Sequence, residues 1–172
     1  MFTQFESASN AVFGNDADIL KTRAVFHQAF DSAFDSTNSF PFTVGPSINI
    51  DLANMHPSVM QILHHFQTYL DNVDPLLKLT HTPTLQKMVF ETSTRISTGL
   101  GVDKDLEALL FNMYFISAIS LTEAESFATF GVEKTALLAR YHVASQQALI
   151  NAGLMRTLSL TVLQAFMLHL VR

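Results

Sequence analysis

Cysteine is missing altogether from these 172 residues. Its absence removes disulfides, thiol catalysis and cysteine-ligated zinc in one step. Charge is scarce as well: Asp, Glu, Lys and Arg supply 15% of the chain, where about 25% is usual. Ten basic residues stand against fifteen acidic ones, for a net charge of −5, and no run of Lys or Arg occurs anywhere. The electrostatic footprint of a nucleic-acid binder is therefore lacking, and no direct nucleic-acid contact is expected from this chain. No basic segment followed by an apolar run opens the sequence, so a secretory signal is not expected. The most apolar stretch, Leu158 to Val171, is too short to span a bilayer and carries Gln164 and His169; it reads as a core helix, with no membrane contact.

What is abundant is apolar. Hydrophobic residues make up 48%, with fifteen Phe and seven Met, and the mean hydropathy of +0.24 is high for so few charges. The length suffices for one domain with a sizeable core. Part of its apolar surface is expected to seek a partner.

Residues 1-51 are Phe-rich but interrupted by Asn, Asp, Ser and Thr, with Ser36-Thr37-Asn38-Ser39 followed by Pro41, Gly45 and Pro46. This composition reads as a mostly irregular tail or linker. Within it, Asp16 to Phe34 could form a helix with Phe26 and Phe30 on one side. Its Phe residues among acidic ones suit either coactivator docking or, on the preferred reading, packing back on the domain.

From residue 52 to 172 the pattern is helical throughout. Val59, Ile62, Leu63, Phe66, Leu70 and Val73 form one stripe, with His64, His65, Gln67, Thr68 and Asp71 assigned to the opposite face. Pro75 predicts a stop by Asn72 or Val73. Thr82 is the expected cap of the next helix, with Pro83 at its first position and Leu85, Met88, Val89 and Ile96 on its inner side. Gly99 and Gly101 end it. Asp103 opens a helix from Lys104 to Ile119 whose second half, from Phe111 to Ile116, leaves almost no polar face, so it belongs in the middle of a bundle. Thr122 and Glu125 have capping-box spacing, and Gly131 closes that short helix. The longest helix spans Val132 to Ala152 with Gly153 in its C-terminal cap, and Thr157 is the expected cap of the last one. The fold class predicted is all-α, an antiparallel helical bundle or a solenoid-like stack.

Nothing in the sequence identifies an active site, and no catalytic, cofactor-binding or metal-ligating residue is assigned. His27, His56, His64, His65, His81, His142 and His169 form no HExxH motif or four-residue His pair. His64 and His65 are placed on the solvent side, and His169 at the core edge, bonded to a carbonyl. Glu123 and Glu125 are better explained by a helix cap than by paired acid/base chemistry. Gly99-Leu100-Gly101 lacks both the third glycine and the preceding strand of a phosphate-binding loop. There is no GxSxG turn. A helical enzyme is thus the least favoured class.

Several blocks carry a family likeness. Met55-His56-Pro57-Ser58, the run from Gln67 to Leu76, and His81-Thr82-Pro83-Thr84 are followed by Leu106 to Phe111, Ser120-Leu121-Thr122-Glu123, Leu137 to Tyr141, Gln147 to Gly153, and Val162 to Phe166. Together they resemble the N-terminal part of the fungal-specific transcription factor domain, the helical middle region of fungal zinc-cluster regulators. The resemblance implies a nuclear regulatory and protein-interaction module that forms a homo- or heterodimer with a zinc-cluster regulator, and it leaves room for a small-molecule effector. The six-cysteine cluster that reads DNA in such regulators is absent from this sequence, and so is any basic localisation signal. An alternative of a different class is a helical scaffold or small-ligand module that pairs with a full-length regulator and titrates it.

Overall fold

The computed structural model describes residues 50–171. The expectations for the tail as far as residue 49, including the helix from Asp16 to Phe34 and the place of His27, lie outside the described residues. A single 3₁₀ turn, Leu52–Met55, leads into six helices: α1 Val59–Thr68, α2 Thr82–Ser97, α3 Lys104–Ser120, α4 Glu123–Phe130, α5 Lys134–Asn151 and α6 Leu160–Leu170. No strand occurs among the described residues. The fold class is all-α.

Helix α3 is the axis of the structure. Every residue from Ala108 to Ala118 is buried, because this run offers apolar or small side chains all the way round the helix, and only full enclosure removes them from water. Helices α5, α6 and α1 pack against it, together with the turn after α1. In a solenoid each repeat touches only its neighbours along the chain. Here α3 gathers elements far from it in sequence, which makes the arrangement a bundle.

Local signals explain the helix boundaries. Ser58 caps α1 through its hydroxyl on the Gln61 amide, while the Gln61 side chain returns to the Ser58 amide, a capping box. Thr122 and Glu125 do the same for α4, as their spacing predicted, and Gly131 ends that helix at φ +69°. After α2 and α5 the chain closes in the paired Schellman pattern: Gly99 bonds to Ile96 and Leu100 to Arg95, then Gly153 to Ile150 and Leu154 to Leu149.

Four expectations need correction. The chain does not leave the helical path at Asn72 or Val73. It widens into a π turn, Tyr69–Val73, and continues as one further turn, Asp74–Leu77. The π turn resets the hydrogen-bond register so that Pro75 falls in the first two positions of the new turn, where its missing N–H is not needed. Helix α2 begins at Thr82, with His81 in the cap position and making no capping bond; instead His81 Nδ1 meets Thr84 Oγ1 at 2.9 Å. Thr157 does not cap α6. Its hydroxyl takes the amide of Ser159 at 3.1 Å, and the helix starts one residue later. Finally, Leu158 to Val171 is only half a core helix: Val162, Ala165, Leu168 and His169 are buried, whereas Leu160, Leu163, Met167 and Leu170 are exposed.

The turn after Leu77 ends on Lys78 at φ +50°, a left-handed conformation in which a β-carbon crowds the backbone. Its side chain is 75% exposed and reaches Asp74 only at 3.8 Å, so the ion pair adds little. Replacing Lys78 by glycine is expected to raise stability by about 0.5–1 kcal/mol, the relief of strain less the extra freedom of the unfolded chain. A lowered melting temperature in the Lys78→Gly variant would contradict this account.

Candidate functional site

Polar side chains inside an apolar bundle are costly unless each finds a partner. Helix α3 carries several, and they connect it to its neighbours at two levels. At the first, His65 on α1 is fully buried between α3 and α5. Its Nδ1 lies 2.7 Å from Ser117 Oγ, and its Nε2 lies 3.1 Å from Tyr141 Oη. The Ser117 hydroxyl donates to the Tyr114 carbonyl at 2.9 Å, so its oxygen must accept from His65. That fixes the tautomer: Nδ1 carries the proton and Nε2 accepts from Tyr141. A directed chain of hydrogen bonds therefore runs from Tyr141 on α5, through His65 on α1, to Ser117 and the Tyr114 carbonyl on α3.

Aromatic rings enclose this chain. Phe130 stacks on His65 with centroids 4.3 Å apart, and Tyr114 and Tyr141 flank it at 5.2 and 5.1 Å. Burial without a carboxylate nearby disfavours the imidazolium, and the neighbouring His64 opposes it further, so the His65 pKa is pushed down to about 3. Burial likewise raises the Tyr141 hydroxyl to about 12. Tyr114 is driven well above the ordinary tyrosine value, by burial first and then by the adjacent Tyr141 and Glu107. None of the three changes charge near neutral pH.

At the second level, Asn112 donates from Nδ2 to the Ala108 carbonyl at 2.8 Å. Its Oδ1 then faces His169 Nδ1 at 3.1 Å, and Ser145 Oγ lies 3.4 Å from the same nitrogen. Ser145 spends its own hydrogen on the His142 carbonyl, which leaves His169 as the donor. This joins α3, α5 and α6. His169 was expected at the core edge, bonded to a carbonyl; it is bonded to a side-chain carbonyl, but in the core proper, 3% exposed.

Two outer contacts complete the set. His56, just ahead of α1, stacks on Phe111 at 4.5 Å and approaches Glu107 at 3.4 Å. Lys134 on α5 donates its ammonium to the Ile119 and Leu121 carbonyls at the end of α3, where a cation also favours the helix dipole.

Of the two histidines expected on the solvent side, one departs from expectation. His64 is exposed as expected, but His65 is buried. The buried side of α1 is formed by Ile62, His65, Phe66, Tyr69 and Val73, with Tyr69 in place of Leu70. His56, His65 and His169 stand apart from one another along α3, and no group of three His, Cys, Asp or Glu able to hold a metal occurs among the described residues. Glu125 is engaged in the α4 cap, which lowers its pKa through the Thr122 amide and hydroxyl. Glu123 sits across a shallow groove of about 440 Å³ between α4 and α5, lined also by Phe127, Glu133, Lys134 and Thr135. No described helix is long and apolar enough to cross a membrane. The interior network orients helices and is closed to solvent; surface features open to a partner include the α4–α5 groove and the exposed apolar side of α6.

The class of protein follows from known relatives. By homology the chain is a region of the fungal transcription regulators, the middle-region likeness its sequence blocks implied. It is 36% identical over 160 residues to the transcriptional regulator AacuB of Aspergillus aculeatus, a match covering 92% of this chain and 21% of that protein. It is 40% identical over 116 residues to the aurofusarin cluster transcription factor aurR2 of Gibberella zeae, covering 67% of this chain and 17% of that one. It is 35% identical over 105 residues to the C6 finger domain transcription factor nscR of Trichophyton verrucosum, covering 61% and 16%. The chain thus spans about a fifth, or less, of the length of these curated relatives. Neither a family model nor a solved structure matches it. These relatives are named as transcription factors and regulators, and none of the three as an enzyme.

Proposed function

We propose that this chain acts in transcription regulation in the nucleus, as the helical regulatory and protein-interaction module of a fungal zinc-cluster-type regulator. The observation that carries the reading is the match to AacuB, which covers 92% of this chain. Its composition suits protein contacts over DNA contacts, since it has no cysteine to build a zinc cluster and no basic run to follow phosphates. The polar side chains of the interior are taken up by bonds between helices, which fits a role carried by surfaces.

A second reading is favoured by one specific feature, the row of exposed leucines and methionine along α6. On that reading the chain pairs through this surface with a full-length regulator and titrates it. Tethering the chain to a heterologous DNA-binding domain upstream of a reporter separates the alternatives from no role at all. An altered transcript level is expected under the first reading. Under the second, the tethered chain is silent, while co-expression of the free chain lowers the output of the regulator it pairs with. Silence in both assays would remove both readings.

A further inference from the structure

Ahead of α1 the chain lies across α3 and α5 as a short strap, residues 51–56. Asp51 closes its 3₁₀ turn from within, accepting from the Ala53 amide at 3.1 Å and from Asn54 Nδ2 at 2.7 Å, so the strap keeps a shape of its own. Its ties to the helices are few. Leu52 is buried, Arg140 of α5 donates to the Met55 carbonyl at 2.9 Å, and His56 stacks on Phe111 of α3 beside Glu107. Among the described residues, no backbone–backbone hydrogen bond joins residues 51–56 to the bundle. His56 and Ser58 both have extended backbone, so the link between the turn and the capped start of α1 carries no helical bonds and is free to hinge.

The seat of His56 is poorly satisfied. Its side chain is 2% exposed, yet Nδ1 meets no hydrogen-bond partner, and neither does the hydroxyl of Tyr114, whose ring stands edge-on to the same imidazole at 6.2 Å. Nε2 reaches Glu107 only at 3.4 Å, long for a charge-assisted bond. Buried polar atoms that give up water and receive no partner destabilise the state that holds them. On the far side of Tyr114 the interior is different, since both nitrogens of His65 are bonded, to Ser117 and Tyr141. The two unpartnered atoms thus gather where the strap meets α3, and the closed strap is the state that they weaken.

We propose that residues 51–56 form a releasable strap, which swings off α3 and α5 as a unit while the six helices stay folded, bringing His56 Nδ1 and the Tyr114 hydroxyl into water. Its release bares the face of Phe111 on which the imidazole stacks, beside Glu107 and Arg140, so the strap controls access to this end of α3. Diethyl pyrocarbonate acylates a neutral imidazole that is open to solvent, and mass spectrometry of the full chain treated at neutral pH reads each histidine separately. His64 is exposed and His65 lies in the core, so these two bracket the scale within one molecule. His56 is expected to react more slowly than His64 but on the order of a hundredfold faster than His65, because a local opening costs less than global unfolding. Low urea should leave its rate unchanged. Arg140→Ala is expected to speed His56 several-fold, with the His65 rate and the helical circular dichroism unaltered. Tyr114→Phe is expected to slow His56 about tenfold, since it removes the unpartnered hydroxyl from the closed state. A His56 rate equal to that of either control, a parallel rise of His56 and His65 in Arg140→Ala, or a His56 rate indifferent to Tyr114→Phe would each overturn the proposal.

Discussion

Lowering the pH from 7.5 to 5 is expected to remove about 2 kcal/mol of folding stability through His65 alone. The unfolded chain binds a proton at this histidine with a pKa of roughly 6.5, whereas the folded chain resists it until about pH 3. Between those values the unfolded state holds the extra proton, so stability rises with pH across the window and is fully present above it. The reason is geometric as well as dielectric. His65 Nε2 accepts from Tyr141, so a proton placed there turns an acceptor into a donor facing a donor, inside a shell of Phe130, Tyr114 and Tyr141 rings. His65→Gln keeps a side-chain donor and acceptor in that space but cannot ionise. Its stability at pH 7.5 should fall by about 1 kcal/mol, the worth of imperfect hydrogen bonds, while its loss between pH 7.5 and 5 should be about 2 kcal/mol smaller than that of the native chain. Urea midpoints at the two pH values decide the matter, and equal pH dependence in both proteins would refute the assignment.

The second large effect is a contrast between neighbours on α6. Val162→Asp places a carboxylate at a site with no exposure, between α6 and the bundle, and is expected to cost several kcal/mol, enough to unfold a marginal domain. Leu163→Asp, one residue on and 46% exposed, is expected to change the stability of the isolated chain by about 0.5 kcal/mol or less. Thermal melts of the two variants at low protein concentration test this directly. Similar destabilisation by both would mean that α6 is enclosed on all sides.

That pair of residues also shows where sequence reasoning reached its limit. The helices and most of their ends were legible because caps and glycines act locally: the Thr122–Glu125 box, Gly131 and Gly153 sit where their chemistry is needed. The central place of α3 was legible too, since Phe111 to Ile116 leave it no polar side. Which side of α6 faces inward was not, because Leu160, Val162, Leu163, Phe166, Met167 and Leu168 offer apolar residues in every direction and periodicity cannot choose. His65 was misplaced for two reasons. Choosing Leu70 over Tyr69 as a member of the α1 stripe rotated the inferred inner face away from it, and the π turn then shifted the register of everything beyond Thr68. Its partners, Ser117 and Tyr141, stand 52 and 76 residues along the chain, beyond any local window. The candidate site was similarly veiled: the inner polar network is defined by pairs of distant elements, and the outer apolar side of α6 by which of its faces the bundle leaves uncovered.

The two hydrogen-bond levels on α3 have a consequence for how this region could transmit a signal. Asn112 and Ser117 are five residues apart, which sets them roughly 140° apart around the helix. One is held by His169 of α6, the other by His65 of α1, and each of these histidines is bonded in turn to α5. A turn of α3 in either sense would break one set as it strained the other, so the helix has no rolling freedom. A one-residue insertion between these positions should fail for the same reason, because the resulting rotation cannot keep both. A displacement begun at the α6 surface is therefore expected to carry α3 and its bonded neighbours with it, as a lever moves in one piece.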